Sequence, residues 1–163
     1  MANADISTLE KLRAQAGKEA VVTEWVEMTQ ERINLFAEAT GDFQWIHVDT
    51  ERAARESPFG GTIAHGFLTL SLLGKFYHDD IQLPFCDMGV NYGLNKVRFT
   101  NPVPAGSKVR GRFVLTKLLD IDNGISMTWT VTLEIEGVAR PACVAEHVVL
   151  RYFRAAADKE ATS

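Results

Sequence analysis

The sequence predicts an α+β fold in which a curved antiparallel β-sheet wraps around a long apolar central helix. Two observations carry this. The stretch from Gly66 to Tyr77 is apolar on nearly every side, which on a helix means burial all round. The chain beyond it alternates apolar and polar residues in several long runs, the pattern of strands with one face in a core. The 163 residues suit one domain, at roughly 100–200 residues per domain. A chain of this size buries about 70% of its unfolded surface and needs no disulfide or metal to hold it.

The elements follow in order. Ile6 to Ala16 reads as a short helix closed by Gly17, and Val21 to Met28 has strand character. Thr29 is a good N-cap residue with Glu31 in the first turn. Ile33, Phe36, Ala37 and Thr40 then recur at helical spacing up to Gly41, which sits where a C′ glycine belongs. Asp42 to Val48 is expected to be loop, Asp49 to cap a short helix through Glu56, and Ser57 to Ala64 to be loop again. After the apolar helix, Asn95, Val97 and Phe99 alternate with Lys96 and Arg98, and Val109, Phe113 and Leu115 alternate with Arg110, Arg112 and Val114. Ile125 to Glu136 alternates without a fault, and Ala142 to Phe153 completes a last long strand. Asp122-Asn123-Gly124 and Glu136-Gly137 are hairpin turn signals.

Three or four long strands around one buried helix make a single hot-dog domain over residues 1–163. A short N-terminal helical extension over 1–20 and frayed ends, Met1 to Asp5 and 155–163, complete it. One sheet edge is left open, and open edges invite pairing, so a homodimer or a higher even oligomer with a continuous sheet is expected.

Seventeen Lys and Arg against 21 Asp and Glu give a net charge of −4, which argues against nucleic acid as a partner. Met1 to Lys11 has no apolar core and does not read as a signal peptide. Ser57 to Gly74, the longest stretch without Asp, Glu, Lys or Arg, is broken by Pro58, Gly60, Gly61 and His65, so no membrane span is expected. Cys86 and Cys143 have no partner motif and read as reduced thiols of a cytoplasmic protein.

Two clusters carry candidate chemistry. Asp42 and His47 are five apart in a polar run, and a carboxylate and an imidazole so placed can hold one water for proton transfer in either direction. Spacing alone also fits, and better, a helix stop with Asp42 capping a turn and His47 a satisfied core histidine. His65-Gly66 stands immediately before the apolar helix, whose first N–H groups have no internal partner and carry partial positive charge. The Gly66 N–H could donate to a developing oxyanion; taken alone, the motif is better read as a glycine that eases the chain into the helix. Together the clusters form the constellation needed to add water beside a thioester carbonyl. The histidines at 47, 65, 78 and 147 lack metal-ligand spacing, so no metal is expected. Nucleotide-binding and serine-hydrolase motifs are absent from the sequence, and Thr69 and Ser71 read as packing residues. Lys96, Arg98, Lys108, Arg110 and Arg112 share the outward phase of strands taken as neighbours and read as a basic strip for phosphates or as a solvated face.

At these residues the chain resembles the MaoC-like dehydratases, the (R)-specific enoyl-CoA hydratase group, and within it the nodulation protein N-like branch. The family signature, Gly-Asp-x-Asn-Pro-hydrophobic-His with a small residue after five more, reads here Gly41-Asp42-Phe43-Gln44-Trp45-Ile46-His47 with Ala53 after the five. His65-Gly66 matches the family's His-Gly. The run from Asn91 to Phe99, followed by Pro102-Val103-Pro104-Ala105-Gly106, is similar to the branch's strand and turn, so the resemblance covers about residues 20 to 153. It implies a hot-dog dimer that hydrates trans-2-enoyl-CoA thioesters to (3R)-3-hydroxyacyl thioesters. Asp42 and His47 would activate the water and Gly66 would polarise the carbonyl, with Gln44, Trp45, His65, Lys96 and Arg98 binding substrate. No cofactor is implied, because CoA is part of the substrate. Gln44-Trp45 replaces the family's Asn-Pro, which loses a fixed φ and puts an indole where it is expected to narrow the acyl channel. An acyl-CoA thioesterase and a non-catalytic acyl-CoA-binding protein are the alternatives; the stretch Phe67 to Phe76 has no acid of the kind a thioesterase uses.

Overall fold

The computed structural model describes residues 3–154. A five-residue helix α1 (Leu9–Arg13) precedes two short strands, β1 (Glu19–Val22) and β2 (Val26–Glu27). Three helices follow, α2 (Gln30–Thr40), α3 (Trp45–Val48) and α4 (Thr50–Glu56), then the long helix α5 (Gly66–Asp79). Four long strands complete the chain: β3 (Cys86–Phe99), β4 (Lys108–Ile121), β5 (Gly124–Ile135) and β6 (Val138–Phe153). They form one antiparallel sheet in the order β1-β4-β5-β6-β3, with β2 also on β4.

Strand β5 shows why the sheet forms. Ile125, Met127, Trp129, Val131, Leu133 and Ile135 point to one face and all are buried, while Ser126, Thr128, Thr130, Thr132 and Glu134 point to the other and are half-exposed. That face packs on α5, where Phe76 and Tyr77 meet Phe113 of β4 edge-on, and Trp129 meets the same ring in a further edge contact. Two-residue connections join β4 to β5 through Asp122-Asn123 and β5 to β6 through Glu136-Gly137, as the turn signals predict.

Several boundaries differ from the sequence expectation. The first helix is shorter than Ile6 to Ala16, because Thr8 caps it by accepting a bond from the Lys11 N–H. Residues 3–5 are not frayed: the Ala4 N–H bonds the Ala20 carbonyl at 2.8 Å, and Ile6 and Leu12 are in the core. The stretch Val21 to Met28 is two strands, β1 and β2, on the same neighbour β4. Between them Thr23 exchanges backbone and hydroxyl bonds with Gly111 of β4. The expected loop Asp42 to Val48 contains the single turn α3, too short to show a period. The expected frayed tail 155–163 lies outside the described residues.

Helix α5 is not buried all round. Leu68, Leu72, Phe76 and Tyr77 are in the core, but Phe67 is 71% exposed on the flank towards β3. Strand β3 is the sheet edge, hydrogen-bonded only to β6 among the described residues, and it exposes Met88, Val90, Tyr92, Leu94 and Phe99. No helix among the described residues is long and apolar enough to cross a membrane.

Candidate active site

The site is assembled where α2, α3 and the start of α5 converge. Thr29 caps α2 by accepting from the Arg32 N–H, and Gly41 ends the helix at φ +76°, a left-handed conformation that suits glycine. This turn throws Asp42 towards α5. The following turn, α3, buries His47, and Asp49 caps α4 by accepting from the Arg52 N–H at 2.9 Å. Residues 62–64 are pinned on the other side. The Ala64 N–H bonds the Val103 carbonyl, the Ala105 N–H bonds the Thr62 carbonyl, and the Ile63 N–H bonds the Ile46 carbonyl.

This backbone fixes the imidazole of His47. Its Nδ1 lies 2.7 Å from the Ile63 carbonyl oxygen, which accepts only, so Nδ1 carries the hydrogen and Nε2 keeps its lone pair. Burial lowers the His47 pKa from its ordinary 6.5, reinforced by His65 and opposed by the bond to Ile63 and the charge of Asp42. The ring is therefore a neutral base. His65 stacks on it with centroids 3.8 Å apart and is held by its own Nε2–H, which donates to the Asp42 backbone carbonyl at 2.9 Å. The Asp42 carboxylate is half-exposed at the rim, with Oδ2 3.9 Å from His65 Nε2.

A cavity of about 310 Å³ opens beside this group, lined by His47, Gly66, Thr69, Phe99, Asn101 and Pro102 among others. Gly66 stands at the N-terminus of α5, where the backbone N–H has no partner within the helix. A Cβ at this position would meet the Phe99 ring at 3.1 Å, so the absence of a side chain keeps the approach to that N–H open. A neutral imidazole and a polarising N–H thus line one small cavity, and the Asp42 carboxylate stands close to the imidazole at its rim, which is the equipment for moving a proton to and from a water beside a carbonyl.

The structure brings Asp42, His47, His65 and Gly66 together. Of these only His47 and Gly66 line the cavity itself; Asp42 and His65 stand behind and beside His47, and Gln44, Trp45, Lys96 and Arg98 are not among the lining residues. Gln44 is exposed at the start of α3, and the Trp45 ring lies under the Arg52 guanidinium, 4.3 Å from its centroid. Lys96 and Arg98 lie on the outer face of β3, around the sheet edge from the site, where Thr100 lines both the cavity and their shallow depression.

The continuous basic strip is corrected. Strands β5 and β6 separate β3 from β4, and the β4 cations are engaged by carboxylates, Arg110 with Glu134 at 2.7 Å and Arg112 with Glu19 at 2.8 Å. The histidines that lack metal-ligand spacing along the chain are not all far apart in the fold. In space, ligand-type atoms of Asp42, His47 and His65 fall within 4.8 Å of one another. The bonds of His47 Nδ1 and His65 Nε2 to carbonyls already use one nitrogen of each ring. The residue the sequence does not mark is Ile63, which contributes a backbone carbonyl and so leaves no side-chain signal.

A curved sheet around one helix, with an acid–base pair at the mouth of that helix, defines a hot-dog protein equipped for hydration chemistry. Residues 12–136 match the model of the MaoC like domain. The 3-hydroxyacyl-thioester dehydratase Z of Mycobacterium tuberculosis is 53% identical over 139 residues, covering 85% of this chain and 91% of that protein. Nodulation protein N of Rhizobium leguminosarum bv. viciae is 49% identical over 150 residues, 90% and 92% of the two chains. The solved (R)-hydratase from A. caviae involved in PHA biosynthesis superposes with a TM-score of 0.68 over 81% of this chain and 95% of its own, at 22% identity, which bears on the fold alone. The chain belongs to the MaoC-like dehydratase family.

Proposed function

We propose that this protein is a hydro-lyase that adds water to trans-2-enoyl-CoA thioesters, giving (3R)-3-hydroxyacyl thioesters, and that it runs the reverse dehydration through the same groups. The observation that carries the proposal is the bond between His47 Nδ1 and the Ile63 carbonyl, which leaves Nε2 as a base on a ring that stands within 4.8 Å of the Asp42 carboxylate. A water between the two gives a proton to Nε2 as its oxygen bonds to Cβ of the enoyl group. The carbonyl oxygen, polarised by the Gly66 N–H, takes up the negative charge, and the proton returns from the pair to Cα. Nothing in this sequence of steps calls for a metal or a cofactor, and CoA enters as part of the substrate. The similarity to a 3-hydroxyacyl-thioester dehydratase supports the reading, and the absence of an acidic residue between Phe67 and Phe76 of α5 speaks against the thioesterase alternative.

The exposed apolar residues of the β3 edge support a homodimer in which two such edges join. Lys96 and Arg98, beside that edge, are left as the cations for the CoA phosphates, and the free thiols Cys86 and Cys143 fit a reducing compartment such as the cytoplasm. The test is direct. Purified protein should abolish the enoyl absorbance of crotonyl-CoA without releasing free thiol. Unchanged absorbance, or thiol release from a saturated acyl-CoA, would overturn the assignment.

A further inference from the structure

Helix α2 begins with a side chain that its own helix does not need. Thr29 already caps the helix by accepting from the Arg32 N–H, so the amide of Gln30 at the first helical position has no capping to do. Glutamine is mostly a surface residue, yet Gln30 is half-buried. Its Nε2 donates to the main-chain carbonyl of His47 at 2.7 Å and to Asn34 Oδ1, one turn along α2, at 2.8 Å. Its Oε1 accepts from the hydroxyl of the buried Thr62 at 2.5 Å. The His47 carbonyl only accepts, so the amide nitrogen must face it, and the amide oxygen is left for the Thr62 hydroxyl.

These partners close a ring through the base. Thr62 directly precedes Ile63, whose carbonyl takes the Nδ1–H of His47 at 2.7 Å. One amide therefore spans the two segments whose separation sets that bond, α3 and residues 62–64. Helix α3 is a single turn without a side-chain cap. Such a turn is too short to hold its own place, and the carbonyls at its end have no donor within the helix. The surroundings of the clamp are firm. Met28, two positions before Gln30, is bonded through its backbone to Gly106 and Ser107, and Thr62 accepts from the Ala105 N–H of the same turn. Backbone bonds fix the path of residues 62–64; the Gln30 amide sets where α3 stands against it.

We propose that Gln30 and Thr62 are positioning residues for the hydration step, holding the His47 main chain at the distance from Ile63 at which Nδ1 stays bonded to the carbonyl and Nε2 is presented as the base. Neither side chain lines the cavity, so both act through His47 and not on the substrate. The proposal rests on the hydratase reading for its effect on rate; the clamp on the imidazole does not.

Steady-state hydration of crotonyl-CoA and proton NMR of the whole protein together provide the test. Gln30→Met keeps the length of the side chain and removes all of its hydrogen bonds. It should lower kcat roughly 10- to 100-fold with KM unchanged, the cost of misplacing a catalytic group by up to ~1 Å. Thr62→Val, which keeps the shape and loses the hydroxyl, should lower kcat less, and Thr62→Ser should recover most of that loss. Because both side chains act through one amide, the double variant Gln30→Met with Thr62→Val should be no slower than Gln30→Met alone. The Nδ1 proton of His47, assigned by its disappearance in His47→Gln, should exchange with water about tenfold faster in Gln30→Met, the worth of one hydrogen bond. A residue that only stabilises the fold would lower the melting temperature without moving kcat or this proton. Wild-type kcat in a folded Gln30→Met, a raised KM in place of a lowered kcat, or an unchanged Nδ1 exchange rate overturns the proposal. Should Gln30→Met fail to fold, equal kcat in wild type, Thr62→Val and Thr62→Ser overturns it as well. A wild type that does not hydrate crotonyl-CoA would sink the hydratase assignment, and the exchange rates would still decide whether the clamp holds His47.

Discussion

The geometry around His47 makes a quantitative demand on a mutant cycle. Asp42→Asn and His47→Gln each remove one side of the water-activating pair, and a positioned acid or base contributes about 10²–10⁴-fold, or about 2.7–5.5 kcal/mol at 1.36 kcal/mol per tenfold. Because both groups act on the same water, the double variant should cost little more than the worse single one; independent actions would multiply to about 10⁴–10⁸. Gln is the better probe at position 47, since its amide can still donate to the Ile63 carbonyl. His47→Ala leaves that buried oxygen without its donor and should destabilise the fold by about 1–3 kcal/mol. Position 47 therefore carries stability as well as chemistry, although the stretch Asp42 to Val48 is expected from sequence to be loop. Initial rates of crotonyl-CoA hydration, with thermal melts as control, provide the four numbers. Near-wild-type turnover in either single variant, or a multiplicative double, would refute the shared-water mechanism.

Four further outcomes can be checked. The burial that lowers the pKa of His47 makes kcat/KM flat above 6.5 and falling only below it; a profile that falls already above pH 6.5 would contradict the neutral base. His147 is shifted in the same direction, so between pH 6.5 and about 4 the unfolded chain binds a proton that the folded chain refuses, and stability drops as pH falls through that window. At 1.36 kcal/mol per unit this is at most about 3 kcal/mol, and denaturant melts of His147→Gln should show a shallower acid limb than wild type. Trp45→Ala, which removes the stack on Arg52, should cost about 0.5–1 kcal/mol and leave the chain-length profile unchanged; a shift towards longer enoyl esters would show that the indole lines the acyl channel after all. Leu94→Glu and Tyr92→Glu put charge on the open β3 edge and should convert a dimer to a monomer in sedimentation, whereas a dimer that survives both would place the interface elsewhere.

The parts of the molecule legible in the sequence are those in which local pattern and tertiary environment agree. The strict alternation of β5 and the apolar run of α5 are read from side chains whose period is also their burial, and the Thr29 and Asp49 caps from a single hydroxyl and carboxylate. The single turn α3 escapes because four residues show no period. The basic strip fails for a different reason. The outward phase of Arg110 and Arg98 is correct, but strand order is a property of the sheet, and two strands lie between them. Asp42, His47 and His65-Gly66 are recognisable as motifs, yet what makes His47 a base is a main-chain oxygen that any residue at 63 would supply. His147 and Arg151 did leave a signal. They occupy the same phase of β6 as Cys143, Ala145 and Val149, a histidine and an arginine on the otherwise apolar phase of a strand.

The carbonyl of Ile63 has an evolutionary consequence. A catalyst oriented by a partner side chain is one point mutation from losing its tautomer. Here that dependence is transferred to the path of the main chain, which is maintained by the Ile46, Val103 and Thr62 backbone bonds. Position 63 is therefore free to drift among residues that suit its packing, and selection on the chemistry is felt instead through whatever keeps the two loop segments in register. Within descendants of this chain, insertions and deletions between Ser57 and Ala64, or between Thr100 and Gly106, should be rarer than substitutions there.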